Sequence, residues 1–325
     1  MKFSTIGTSW ITEAFIKAAQ YSKIAELQSV YSRSEKSAKD FAERNGAKNA
    51  TTDLDALLAE ETDFIYIASP NGMHYEHILK CIENKKHVFS EKPMVLTEKQ
   101  WKEVKELAEK QEVFVFEGFR HLFSPNYEIL KKSLPDAGEI RSVMLQYVQY
   151  SSRYDKYKNG EEPNVFTKEF AGGALMDLGV YPLSMAIDLF GEPKAVDYFP
   201  VLLSNGIDGS GTLVMTYEGF IVTILCSKIA QGSIPSEIHG EDGALTIDRV
   251  APIEKLSFYN RKSKKSKELA KDQLENDMVY ELEAFTKMIE QKDIVSHDLW
   301  MERSRLVAKW SEQARRKQGI LFPGE

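Results

Sequence analysis

Three side chains stand where proton chemistry at an alcohol or carbonyl carbon can be done: Lys92, Asp177 and Tyr181. Lys92 lies in Glu91-Lys92-Pro93, just past an expected strand at His87–Ser90. Proline there fixes the turn and ends the strand. The carboxyl end of such a strand faces the crevice in which open α/β sheets bind ligands. Asp177 and Tyr181 belong to Gly172-Gly173-Ala174-Leu175-Met176-Asp177-Leu178-Gly179-Val180-Tyr181. They are four apart, so both are expected on one face of a helix. The paired glycines let the backbone pass close to a ligand or sheet. Asp177 can orient the lysine or bind a hydroxyl, and Tyr181 can give a proton to an oxygen or take one. A free tyrosine titrates at ~10, and a nearby ammonium favours its phenolate. Lys92 and Tyr181 are therefore both candidates for the proton carrier.

The chain before Lys92 reads as a nucleotide-binding pattern. Ile6-Gly7-Thr8-Ser9-Trp10-Ile11-Thr12 joins a strand at Lys2–Ile6 to an apolar-periodic helix carrying Ile11, Phe15 and Ala18. In that context backbone N–H groups at the helix start meet a pyrophosphate, which points to Gly7, Thr8, Ser9, Trp10 and Ile11. The pattern departs from the usual one: Ser9 replaces the second glycine and Thr12 stands where the third would fall. The second strand ends Val30-Tyr31-Ser32-Arg33-Ser34, with no acid to bind a ribose 2′-OH. Ser32 can donate to a phosphate oxygen and Arg33 can fork onto it, so NADP(H) is preferred and NAD(H) is the alternative. Ser69-Pro70-Asn71-Gly72 follows a later strand, and His74-Tyr75-Glu76-His77 then opens a helix. Two histidines three apart share a helix face, but no third ligand stands at helical spacing, and no metal is expected.

Together these strings resemble the Gfo/Idh/MocA oxidoreductases, from Phe3 to the strands near Ile247. The resemblance implies hydride transfer with a nicotinamide cofactor on a sugar or related substrate. It implies that Lys92, Asp177 and the residue four positions on surround the reacting carbon, with Glu91 nearer the cofactor. It also implies that Ser69, Pro70 and Asn71 lie against the cofactor ribose and pyrophosphate, with His74 near that loop. Tyrosine at 181, where many relatives carry histidine, is closer to the glucose–fructose oxidoreductase and dimeric dihydrodiol dehydrogenase branches. Arg120, in Glu117-Gly118-Phe119-Arg120-His121, is expected to touch cofactor or substrate. Arg153 and Tyr154 are candidates for setting substrate specificity or for an ordinary loop role.

These residues need a scaffold. At 325 residues, two domains are the natural expectation. The first alternates short β-rich runs (Lys2–Ile6, Leu27–Tyr31, Phe64–Ala68, His87–Ser90, Val113–Phe116) with helical patterns, which is how a parallel Rossmann sheet reads. After about His121 the pattern becomes a run of strands, expected as an α+β domain with a large, mostly antiparallel open sheet. The boundary is expected at residues 1–120 and 121–325. The open face wants cover, so a homodimer through the C-terminal sheet is expected. The basic run Arg261–Lys267 reads as a solvated hairpin loop, and a net charge of −7 argues against nucleic acid as a partner. No apolar run approaches the ~20 residues of a membrane helix. With two cysteines, Cys81 and Cys226, and no signal-peptide pattern, a cytoplasmic protein with reduced thiols is expected. Two rival readings stand beside the oxidoreductase: a glycoside-cleaving enzyme that keeps NAD bound, and a non-catalytic nucleotide sensor. The missing ribose-binding acid counts against the first, and the intact Lys92, Asp177 and Tyr181 set against the second.

Overall fold

Strands that are apolar along their whole length can be covered only from both faces, and Phe64-Ile65-Tyr66-Ile67 is of that kind. A computed structural model describes residues 1–325. The chain divides into two compact units, Met1–Gly118 with Leu274–Arg305, and Phe119–Gln273 with Leu306–Glu325. The first unit holds β1 (Lys2–Ile6), β2 (Glu26–Tyr31), β3 (Asn49–Thr51), β4 (Phe64–Ile67), β5 (His87–Ser90) and β6 (Val115–Glu117). Their order is β3-β2-β1-β4-β5-β6, and every pairing is parallel. The order reverses between β1 and β4, the switch point at which such sheets bind ligands beyond the carboxyl ends of their strands.

Aromatic rings build the core of this unit. Phe3 stacks on Phe64 at 5.2 Å, Phe15 on Tyr66 at 3.8 Å, and Phe116 on Trp300 at 4.8 Å between centroids. Phe285, from the helix Met278–Gln291, closes against Phe64, Phe89 and Phe116. Pairs of this kind add about 0.5–1.5 kcal/mol each beyond the area they bury. The five expected strands all form within a residue or two of their expected ends. β3 was not expected: Asn49-Ala50-Thr51 is too short and polar to register as an apolar run.

The second unit is an eight-stranded sheet. Its strands are β7 (Ile140–Val148), β8 (Ala195–Leu202), β9 (Asp208–Thr216), β10 (Ile221–Ser227), β11 (Ser236–Gly240), β12 (Gly243–Ile247), β13 (Leu256–Asn260) and β14 (Lys265–Glu268). The order is β14-β13-β12-β11-β7-β10-β9-β8. Only the central β7–β10 pair is parallel. Alternation sends Val143, Leu145, Val222, Ile224, Leu213 and Met215 to a buried face. The turn Leu175–Gly179 and the helix Val180–Phe190 cover this face. The other face carries Phe199 and Val201 exposed, with Val214, Leu225 and Met144 half-buried. The basic run was expected to be loop throughout. Its second half is instead the exposed edge strand β14, which pairs β13 from Lys265 to Glu268. Lysines on an edge strand keep it from pairing with another chain, so a charge run and a strand are compatible there.

One buried acid in the first unit makes stability depend on pH. Glu117, at the end of β6, accepts from the Met94 N–H at 2.8 Å and is buried. Burial, with help from the Glu91 charge, raises its pKa from 4.5 to about 7, against the Met94 hydrogen bond and Lys92. The folded chain thus holds a proton that the unfolded chain releases between 4.5 and about 7. Stability from this group is therefore lost as pH rises through that window, on the order of 3 kcal/mol in total. Glu117→Gln keeps the acceptor for Met94 and removes the titration. We expect its urea midpoint to be higher than wild type above the window and close to it below. Equal differences on both sides would show that Glu117 does not carry this proton.

Candidate active site

The carboxyl edge of the parallel sheet gathers most of the cofactor residues expected from the sequence. Gly7 follows β1 with φ 115°, and its N–H donates to Tyr31 O at 3.1 Å. A Cβ at this position would lie 2.5 Å from Ala68 O, so only glycine fits against the segment after β4. Ser9 is the N-cap of the helix Trp10–Ser22 in extended conformation, and its side chain does not cap the helix. The first-turn N–H groups are thus left for a ligand, and this cradle fits a pyrophosphate. Thr12 is fully buried with its hydroxyl 3.4 Å from Ser9 Oγ, so this helix packs on a threonine where the usual pattern has its third glycine. Thr8 and Ile11 are half-buried, and Trp10 is 70% exposed.

At the tip of β2, the Ser32 N–H donates to Thr51 O at 3.2 Å, and Arg33 is exposed and outside any ion pair. No carboxylate follows β2 before Glu35. His77 lies beside Tyr31, with ring centroids 6.4 Å apart, and its Nδ1 is 2.9 Å from Ser69 Oγ. Burial pushes His77 down to about 4, helped by the charges of His74, Lys80 and Arg33. It is a neutral ring that orients Ser69, a role its sequence position does not announce. His74 Nε2 lies 2.7 Å from Ser69 O and its Nδ1 2.8 Å from Pro93 O. The ring therefore ties the Ser69-Pro70-Asn71 loop to the Lys92-Pro93 turn. Burial, then the Lys92 charge, hold His74 below the usual histidine range. A neutral imidazole donates to only one of those carbonyls at a time. The two histidines thus serve separate contacts.

Glu91 is buried, and the Tyr66 hydroxyl donates to its Oε1 at 2.7 Å. Its N–H donates to Ile67 O at 2.8 Å, so β4 supports the Glu91-Lys92-Pro93 turn through both backbone and side chain. Tyr66 is itself stacked on Phe15, which connects the aromatic core to the residue preceding Lys92. Lys92 is half-buried and its peptide bond to Pro93 is cis.

The remaining expected residues lie in the second unit. Arg120 is half-buried and opens the short turn Arg120–Phe123. Asp177 sits in a π-helical turn, Leu175–Gly179, in which the Val180 N–H reaches back to Leu175 O. Such turns are frequent at functional sites. The sequence placed Asp177 and Tyr181 on one regular helix; here the π-turn precedes the α-helix that carries Tyr181. The Asp177 carboxylate forms an ion pair with Lys228, whose side chain is 3% exposed against 27% for Asp177. Tyr181 is buried, with its ring 5.1 Å from His121 and 5.4 Å from Tyr147. Its carbonyl accepts from the Ser184 hydroxyl at 2.9 Å and lies 3.0 Å from His121 Nε2.

The two glycines before the π-turn are both forced. A Cβ on Gly172 would lie 2.6 Å from the Val165 carbonyl, and one on Gly173 (φ 118°) would collide with Asp208 Oδ1. Asp208 is buried and accepts from Leu175 N–H at 2.7 Å and Tyr198 OH at 2.6 Å. Burial raises it to about 6. It fixes the first residue of the turn that presents Asp177. Arg153 is exposed at the start of the helix Tyr154–Lys158. Tyr154 packs on Tyr150 and Phe166, with centroids at 5.6 and 5.7 Å, and Lys228 Nζ lies 5.5 Å over Phe166. Sequence reasoning missed Lys228, Asp208, Tyr66 and His77. None stands in a motif that marks a supporting role, and His77 was weighed only as half of a possible metal pair with His74.

Residues 1–119 match the family model described as the oxidoreductase family with NAD-binding Rossmann fold, and residues 135–246 match the GFO/IDH/MocA C-terminal domain. The chain is 37% identical to the uncharacterized oxidoreductase YgjR of Escherichia coli (strain K12), covering 100% of this chain and 98% of that one. It is also 37% identical to the scyllo-inositol 2-dehydrogenase (NADP(+)) IolU of Bacillus subtilis (strain 168), covering 100% and 99%. Among solved structures, the 3-ketoreductase KijD10 from Actinomadura kijaniata, in complex with NADP and TDP-benzene, is similar in fold. It matches with a TM-score of 0.82 at 22% identity, over 97% of each chain. Full-length relatedness and two matching domains together place this chain in the Gfo/Idh/MocA family of oxidoreductases.

Proposed function

We propose that this chain is an NADP(H)-dependent dehydrogenase of cyclic polyols or sugars. The observation that carries this reading is its end-to-end likeness to an NADP-dependent scyllo-inositol dehydrogenase. Ser32 and an unpaired Arg33 at the tip of β2, without a nearby acid, support NADP over NAD. The Gly7 turn and the uncapped helix start are the pyrophosphate cradle, and Ser69, Pro70, Asn71 and His74 form the loop beside it. Bound there, the nicotinamide supplies the acceptor or donor of a hydride.

The chain's own residues manage the proton. In the oxidative direction Lys92 and Tyr181 are the two candidates to accept it from the substrate hydroxyl. Lys92 also offsets the negative charge that builds on that oxygen, a contribution that water cannot match in an excluded site. Asp177, an acceptor, holds a substrate hydroxyl, which suits a polyhydroxylated ring. Arg120, Arg153 and Tyr154 are further candidates for contacts with cofactor or substrate. No helix is long and apolar enough to cross a membrane. With Cys81 and Cys226 both buried and free, we place the protein in the cytoplasm. The uncovered sheet face, with Phe199, Val201, Val214 and Leu225, joins a second copy as a homodimer.

Three measurements test this reading. Arg33→Ala should weaken NADPH binding about tenfold or more while leaving NADH binding unchanged, by calorimetry; equal losses for both would remove Arg33 from the phosphate. Lys92→Met should lower turnover of scyllo-inositol by about 10²–10⁴ and keep most NADPH affinity; wild-type turnover in that variant would exclude Lys92 from the chemistry. Leu225→Arg should weaken a dimer seen by sedimentation more than about tenfold. A wild-type monomer, or an unaffected dimer, would put the interface elsewhere.

A further inference from the structure

We propose that Lys228 is a positioning residue: it holds Asp177 ionised and fixed in direction, and so sets how substrate turnover responds to pH. The inference rests on the reading of Asp177 as the group that holds substrate. Lys228 follows β10, and its backbone N–H donates to Gly209 O at 2.8 Å, which anchors the residue at the end of the β9–β10 pair. Its side chain is almost wholly buried and paired with Asp177, whose own side chain keeps about a quarter of its surface exposed (27%). The lysine thus clamps the carboxylate from the protein side. Phe166 lies under the ammonium and adds a cation–π contact.

The surroundings explain why the charge is directed to Asp177. A buried ammonium without a partner costs several kcal/mol, so Lys228 must have a carboxylate. The titratable groups around it are Asp177 from the π-turn, Asp208 at the start of β9, Tyr198 from β8 and Cys226 from β10. Burial pushes the Tyr198 hydroxyl and the Cys226 thiol up, so both stay neutral. Asp208 is already held by the Leu175 N–H and the Tyr198 hydroxyl, and burial moves it toward its protonated form. Asp177 is the carboxylate that pairs directly with Lys228, whose charge also acts on Asp208.

The test reads Asp177 directly. Aspartate carboxyl carbons labelled with carbon-13 are titrated by NMR in wild type, Lys228→Met and Lys228→Arg, with Asp177→Asn to assign the signal. The expected result is a midpoint raised by about one unit or more in Lys228→Met and near wild type in Lys228→Arg. Lys228→Gln carries the same expectation as Lys228→Met and replaces it if that variant does not fold; NADPH binding checks folding in each. The acid limb of kcat/KM against pH, measured with scyllo-inositol and NADP⁺, should move with the midpoint. An unmoved midpoint in both uncharged variants overturns the proposal, as does a moved midpoint with an unchanged pH profile. Full turnover in Asp177→Asn would instead sink the role given to Asp177, a separate failure.

Discussion

Parallel strands end together, and beyond their carboxyl ends the backbone has no ladder partner. The loops that leave the strands of the nucleotide half begin at that edge, so their polar groups must be satisfied by side chains, by ligand or by one another. The molecule answers with cross-ties. Gly7 is held to Tyr31 and pressed on Ala68, His77 holds Ser69, and His74 lies between the Ser69 and Pro93 carbonyls. Lys92 is placed by the same ties, because Tyr66 secures Glu91 from beneath and His74 reaches the proline after it. Loosening one tie would disturb several loops, which is why single polar residues with no motif matter here.

The second unit solves a different problem with the same currency. Its candidate acid, Asp177, is carried on a π-turn, a wider coil than an α-helix and one that needs outside support. Asp208 supplies that support at Leu175, and the absence of a side chain at Gly173 is what lets Asp208 approach. The charge on Asp177 is then balanced by Lys228 from within the sheet. Backbone shape and charge are thus fixed by different residues, Asp208 through the hydrogen bonds it accepts and Lys228 through its charge.

Much of the scaffold was legible because it rests on period and punctuation. Short β-rich runs of four or five residues between helical patterns marked β1, β2, β4, β5 and β6, and the paired glycines marked the turn before Asp177. The family resemblance carried by Glu91-Lys92-Pro93 and Gly172 to Tyr181 pointed to the family to which the chain belongs. Short or charged strands escaped notice: β3 has three residues, and β14 is mostly lysine and serine. The supporting groups escaped for a physical reason. Lys228, Asp208 and Tyr66 act through contacts between segments distant in sequence, from Tyr66–Glu91 at 25 residues apart to Asp177–Lys228 at 51, while His77 reaches back 8 residues to Ser69. No local pattern encodes such a pair. The π-turn was equally hidden, since Leu175 to Gly179 reads as ordinary helix.

Hydride transfer between a polyol carbon and NADP is the chemistry proposed for this chain. Its most direct test uses scyllo-inositol carrying deuterium on its ring carbons, incubated with the protein and NADP⁺, followed by mass spectrometry of the nicotinamide product. Deuterium should appear in the reduced cofactor, formed in step with a ketone. Unlabelled cofactor across cyclic polyols and sugars, with NADP bound normally, would contradict it and leave the chain as a nucleotide-binding member of its family without this chemistry.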